Sequence, residues 1–128
     1  MFLGASGAIC GAYDDVVLPA VGEQHDWELE LACVLGPGGT IAGYTIANDL
    51  TRRDLVYRPD LQAIGTDWLR SKNAPTFLPV GPWIVPAAFV PDPAGNGTHH
   101  RRFLEPGDVM ESEITGLGAQ RNRCVAAS

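Results

Sequence analysis

The segment Asp26-Trp27-Glu28-Leu29-Glu30-Leu31-Ala32-Cys33-Val34-Leu35 alternates polar and apolar side chains until Gly36-Pro37-Gly38-Gly39 stops it. A period of two sends alternate side chains to opposite faces, so this stretch predicts a half-buried strand. Thr40 to Asn48 is rich in β-formers and small residues. It predicts a second strand pairing with the first across the Gly-rich turn, with Asp49 at its end.

The rest of the chain is cut into short pieces, because Gly supplies 15 and Pro 10 of the 128 residues. That frequency implies many turns and few long helices. Between Ala8 and Pro19 a strand is expected on each side of the turn at Asp14-Asp15. Thr66, followed by Asp67-Trp68-Leu69-Arg70, reads as a capped helical turn. Pro75, Pro79, Pro82 and Pro86 leave only extended or looping chain around Trp83-Ile84-Val85, so any strand there is short or at an edge. Pro91 to Gly97 reads as a loop and His99-His100-Arg101-Arg102 as a solvated polar run. Gly107-Asp108 turns into a strand from Val109 to Thr115, which Gly116-Leu117-Gly118 returns through Gln120 to Val125. The expected fold is mainly β with little helix, in one domain spanning 1–128.

The net charge of −6 is unevenly placed, since residues 1–51 hold seven acids and no Lys or Arg. Nucleic acid is an unfavourable partner for such a chain, whereas a cation suits its acidic part. Cys10, Cys33 and Cys124 are odd in number and lack CxxC spacing, which argues against a disulfide framework and a structural zinc site and fits a reducing cytoplasm. No run approaches the roughly 18 apolar residues of a membrane span, and Met1 to Ala12 lacks a basic leader, so the expectation is a soluble, unexported protein.

On a strand, residues i and i+2 share a face, which projects Glu28 and Glu30 together from Cα atoms about 6.6 Å apart. Alternation alone is satisfied by a wet strand face. That is the plainer reading of the spacing, although it also admits a hard divalent cation held between the two carboxylates, with Asp49 closing a three-carboxylate site from the neighbouring strand. His25 adjoins Asp26 and reads as part of a surface turn, while Phe77 and Trp83 read as core. Arg53 is expected to pair with Asp54 or Asp49, and His99 and His100 have no metal-ligand spacing.

Four blocks carry a family resemblance: Asp26-Trp27-Glu28-Leu29-Glu30-Leu31; Gly43 through Asp54, including Asn48-Asp49-Leu50-Thr51-Arg52-Arg53-Asp54; Phe77-Leu78-Pro79-Val80-Gly81-Pro82-Trp83; and the ending Leu104 to Val109, Glu113 to Gly118 and Arg121-Asn122-Arg123. In order and wording they resemble the fumarylacetoacetate hydrolase family. The resemblance implies an incomplete mixed-sheet β-roll of that family's C-terminal-domain type. It also implies Mg²⁺ or Mn²⁺ held by Glu28, Glu30 and Asp49, with Lys72 as the catalytic lysine that steadies the substrate's anionic oxygens. The implied reaction is hydrolysis of a carbon–carbon bond in an acylpyruvate or related 2,4-dioxo acid, the metal stabilising the enolate left by cleavage. Hydratase, isomerase or decarboxylase chemistry on a 2-oxo-enoic acid is the sister reading, and a non-catalytic remnant that binds metal or a partner chain is a third. A homodimer is the expected assembly.

The chain departs from the family's pattern in several places. An upstream lid with a water-activating His and Glu has no counterpart, and Gly4 stands near a position where many relatives carry lysine. Pro91-Asp92-Pro93 runs directly into Ala94-Gly95-Asn96-Gly97, where relatives insert further strand and helix, so exposed apolar edges are expected. Pro75 replaces an acid that often follows the lysine.

Overall fold

The computed structural model describes residues 2–63, 65–90 and 102–127. The expected loop at 91–97 and the His99-His100-Arg101 run therefore lie outside the described residues.

Strands β1 (Ile9–Gly11) and β2 (Val16–Leu18) flank the Asp14-Asp15 turn as the sequence predicts. The long alternating segment is divided in two: β3 (His25–Asp26) and β4 (Leu29–Leu35) are separated at Trp27-Glu28. The break coincides with a side-chain contact from the neighbouring strand. The Asn48 side chain accepts a hydrogen bond from Glu28 N at 3.0 Å, taking a donor away from strand pairing. β4 then pairs antiparallel with β5 (Ile41–Asn48), bringing Leu29 opposite Asn48 and Glu30 opposite Ala47. A short strand β6 (Thr51–Arg52) pairs with β3.

Helix α1 (Trp68–Lys72) is a single short helix capped by Asp67, whose side chain accepts from Arg70 N at 2.9 Å. The cap is thus Asp67 rather than Thr66. Beyond it, β7 (Leu78–Val80) lies between β1 and β5, while β8 (Val85–Pro86) pairs with β5 over two residues. Pro79 lies inside this three-residue strand, and its carbonyl accepts from Gln120 Nε2 at 3.2 Å. The chain closes with the expected hairpin of β9 (Val109–Ile114) and β10 (Gly118–Ala126). β10 also runs parallel to β2 and joins the two ends of the described chain.

The result is mainly β, with mixed parallel and antiparallel pairing and no closed barrel among the described strands. One core cluster joins Val16, Leu18, Leu50, Phe77, Met110 and Cys124. A second packs Tyr44, Ile46 and Leu117 against Leu29 and Leu31, the apolar face of β4. Two expectations are corrected here. His25 is buried, at 6 % exposure, because β3 pairs with β6 and sets its ring edge-on to Phe77. Trp83 is 55 % exposed, since it lies at the margin beside β8, where its ring rests over Gly118. Phe77 is fully buried as expected. Leu35, Ile41, Ile84 and Phe89 remain exposed, in keeping with the apolar edges foreseen.

Candidate metal centre

The polar face of β4 and the end of β5 meet at one place. Glu28, Glu30 and Asp49 each offer a carboxylate oxygen there, and these atoms lie within 4.8 Å of one another. Backbone pairing sets the arrangement: Asp49 N donates to Glu28 O at 2.9 Å, extending the β4–β5 ladder past the strand break. Glu30 and Asp49 line a cleft of about 290 Å³ together with Phe2, Gly4, Ala8 and Lys72. Gly4 therefore stands beside the site, and a Cβ there would meet nothing within 4 Å.

Lys72 is brought to the same cluster by α1. Its Nζ lies 2.6 Å from Glu28 Oε2 and 2.7 Å from Asp49 Oδ2, and it also donates to Asp49 O at 3.2 Å. The side chain is 4 % exposed, which its two carboxylate partners make tolerable. Phe2 and Trp68 stack with ring centroids 6.0 Å apart, and Nζ sits 5.4 Å and 5.9 Å from those respective centroids. The aromatic pair covers the ammonium and adds cation–π attraction. Asn73 ties this end of α1 to the amino-terminal segment by accepting from Ala5 N and donating to Leu3 O.

Arg53 takes partners other than those expected from sequence. Its Nε donates to Asp26 Oδ2 at 2.8 Å and its terminal nitrogen to Glu28 Oε1. Asp54 instead accepts from the backbone of Glu23 and Gln24, so it is unavailable as the main partner. Asp26 was missed as a neighbour of this site, although it shares the period-two series with Glu28 and Glu30. Asn48 was less legible, because its role is to hold a backbone N–H from a fully buried position.

The electrostatics are those of an acidic cluster short of positive charge. Asp26, Glu28, Glu30 and Asp49 face Arg53 and Lys72, four carboxylates against two cations. Burial raises the Glu30 carboxyl above its ordinary value, aided by the charges of Asp49 and Glu28. Burial likewise raises Asp49, with the Lys72 hydrogen bond opposing it only in part. For Glu28 burial acts in the same direction, but Lys72 and Arg53 together outweigh it and lower the carboxyl. An all-oxygen donor set with a formal deficit of two charges suits a hard divalent cation.

The chain matches the fumarylacetoacetate hydrolase C-terminal domain over residues 1–96. It belongs to the fumarylacetoacetate hydrolase family. It is 39 % identical over 98 residues to a mitochondrial oxaloacetate tautomerase of Homo sapiens, an alignment covering 69 % of this chain and 30 % of that protein. It is 35 % identical over 109 residues to a 2,4-didehydro-3-deoxy-L-rhamnonate hydrolase of Sphingomonas sp. (strain SKA58), covering 77 % of this chain and 36 % of the relative. The chain thus spans little more than a third of these relatives at most.

Among solved structures, the fumarylpyruvate hydrolase of Pseudomonas aeruginosa in complex with Mn²⁺ and pyruvate superposes with a TM-score of 0.78 at 20 % identity. That match covers 98 % of this chain and 78 % of the hydrolase. A 2-keto-3-deoxy-D-arabinonate dehydratase complexed with magnesium and 2,5-dioxopentanoate gives 0.81 at 18 % identity, covering 97 % and 61 %. At these identities the likeness establishes the shared fold. No helix among the described residues is long and apolar enough to cross a membrane.

Proposed function

We propose that residues 1–128 form a partial catalytic domain whose Glu28, Glu30 and Asp49 hold Mg²⁺ or Mn²⁺. We further propose that it hydrolyses a carbon–carbon bond in an acylpyruvate or related 2,4-dioxo acid. The observation carrying this reading is the cluster of three carboxylates within 4.8 Å, in a chain of this family. A bound divalent ion would act as a Lewis acid toward adjacent substrate oxygens and the developing enolate. Lys72 would keep an ammonium at the cleft wall, where it can accept the charge of a substrate carboxylate or enolate oxygen. The Phe2–Trp68 pair would shield that ammonium from water and so strengthen its attraction for the substrate anion.

A second reading keeps the same site and changes the reaction. The 39 % identical relative is named an oxaloacetate tautomerase, which favours proton transfer on a 2-oxo acid without bond cleavage. A hydratase, isomerase or decarboxylase of a 2-oxo-enoic acid belongs to the same group, and a non-catalytic metal- or partner-binding remnant stands behind both. The free cysteines fit a reducing compartment such as the cytoplasm, and the exposed Leu35, Ile41 and Phe89 support a homodimer.

Mn²⁺ titration by calorimetry, followed by ultraviolet assays of an acylpyruvate and of enol-oxaloacetate, tests and separates these readings. Metal binding with loss of the acylpyruvate supports the hydrolase, and turnover of oxaloacetate alone supports the tautomerase. Binding without turnover supports the remnant. No binding by the wild-type chain overturns the metal-centre reading.

A further inference from the structure

Glu28 has both carboxylate oxygens engaged, one by each cation: Arg53 donates to Oε1 and Lys72 to Oε2. The two cations are held very differently. Arg53 is clamped, because its Nε also donates to Asp26 Oδ2 at 2.8 Å while Asp26 Oδ1 accepts from Trp27 N at 2.9 Å. A planar guanidinium gripping two carboxylates in fixed directions has little freedom to leave either. Lys72 ends in a rotatable ammonium shared among Glu28, Asp49 Oδ2 and Asp49 O. It occupies the side of Glu28 that faces Asp49, the side a cation bridging the carboxylates must approach.

We propose that Arg53 is a positioning residue of the metal centre: clamped by Asp26, it retains Glu28 Oε1 and presents Oε2 alone to the ion. Glu28 then ligates through a single oxygen, and Lys72 is the cation that gives way. This rests on the metal-site reading above and adds to it the orientation of the first ligand. The contrary expectation follows from charge alone, since a fixed guanidinium near a divalent ion repels it and its removal would tighten binding.

The test measures Mn²⁺ affinity by calorimetry and by electron paramagnetic resonance on the full chain and on Arg53→Gln, Arg53→Lys and Asp26→Asn. Thermal midpoints of the metal-free proteins are recorded beside them. Loss of an orienting partner of a metal ligand weakens metal binding by about 10- to 100-fold. We expect a weakening of that order in Arg53→Gln, a smaller one in Asp26→Asn, and an intermediate value in Arg53→Lys, which keeps the charge and loses the fork. The bound-Mn²⁺ spectrum should broaden or shift in the same order. A lowered midpoint with affinity changed by less than about threefold would show a merely structural pair and overturn the inference. Tighter binding in Arg53→Gln would overturn it as well. If Arg53→Gln does not fold, Asp26→Asn decides by the same criteria. Absence of Mn²⁺ binding in the wild type would instead strike the metal-site reading itself.

Discussion

Lys72 Nζ and Asp49 Oδ2 lie 2.7 Å apart in an ion pair whose side chains are 4 % and 12 % exposed. The same ammonium contacts Glu28 Oε2, so in the metal-free protein it stands where it offsets two of the three clustered carboxylates. Lys72 thereby ties the stability of the fold to the charge of the cluster.

Lys72→Met should lower metal-free stability by about 3 kcal/mol, because breaking a buried pair from one side leaves carboxylates uncompensated. Mg²⁺ should recover more stability in this variant than in the wild type, since no ammonium then needs displacing. Urea unfolding with and without Mg²⁺ checks both. Equal metal stabilisation of the two proteins would contradict this account.

Glu30→Gln separates ligation from folding. Its carboxyl is pushed up by burial and by Asp49 and Glu28, so neutralising it should leave the metal-free thermal midpoint unchanged or higher. Mn²⁺ affinity should fall at least about tenfold with the loss of a charged oxygen donor. Calorimetry and a melting scan on one preparation provide both values.

The pH dependence has two opposing parts. Burial lowers the His25 imidazole below its ordinary 6.5, so between the two values the unfolded chain binds the proton and the folded one does not. Stability from this residue is complete above 6.5 and declines as pH falls toward the folded value, by no more than about 1.4 kcal/mol per pH unit. Glu30 and Asp49, raised in the metal-free fold, act in the opposite sense, since the folded state takes up protons first as pH falls. His25→Phe should remove the first component alone, and comparing urea midpoints of the two proteins between pH 7.5 and pH 5, about where an ordinary His titrates, isolates it. Identical profiles would refute the assignment.

Gly43 is fixed by close approach. A Cβ there would lie 2.6 Å from Val85 O and 2.7 Å from Ile84 Cγ2, so Gly43→Ala must push β8 away from β5. The expected destabilisation is about 1–3 kcal/mol, with Mn²⁺ affinity unchanged, because the displacement is on the far part of β5 from Asp49. Unfolding curves and metal titration report the two effects separately.

The β4–β5 hairpin and the position of Asp49 were legible because period-two alternation and a Gly-rich stop are local signals. The division at Trp27-Glu28 was not, since it coincides with the Asn48 side chain reaching across to Glu28 N. His25 was misplaced for a related reason: a polar residue near a turn reads as exposed until β6 is known to cover it. The parallel pairing of Val16 with Cys124 joins residues more than a hundred positions apart and leaves no periodic trace. Arg53 had several acids within reach in sequence, and only the fold decided that Asp26 and Glu28 are its partners. The proposed roles of Glu28, Glu30 and Asp49 as ligands rest on the resemblance, as alternation alone also fits a wet face.

All three carboxylates of the cluster come from one hairpin, residues 28–49, with the two flanking cations supplied by residues 53 and 72. The donor set is therefore written in a short contiguous stretch and does not depend on distant strands meeting correctly. Insertions or losses outside that stretch change what covers the centre and what enters it while leaving the donors in register. The three carboxylates thus travel with one hairpin, whereas the cations that neutralise them are supplied by the chain beyond it.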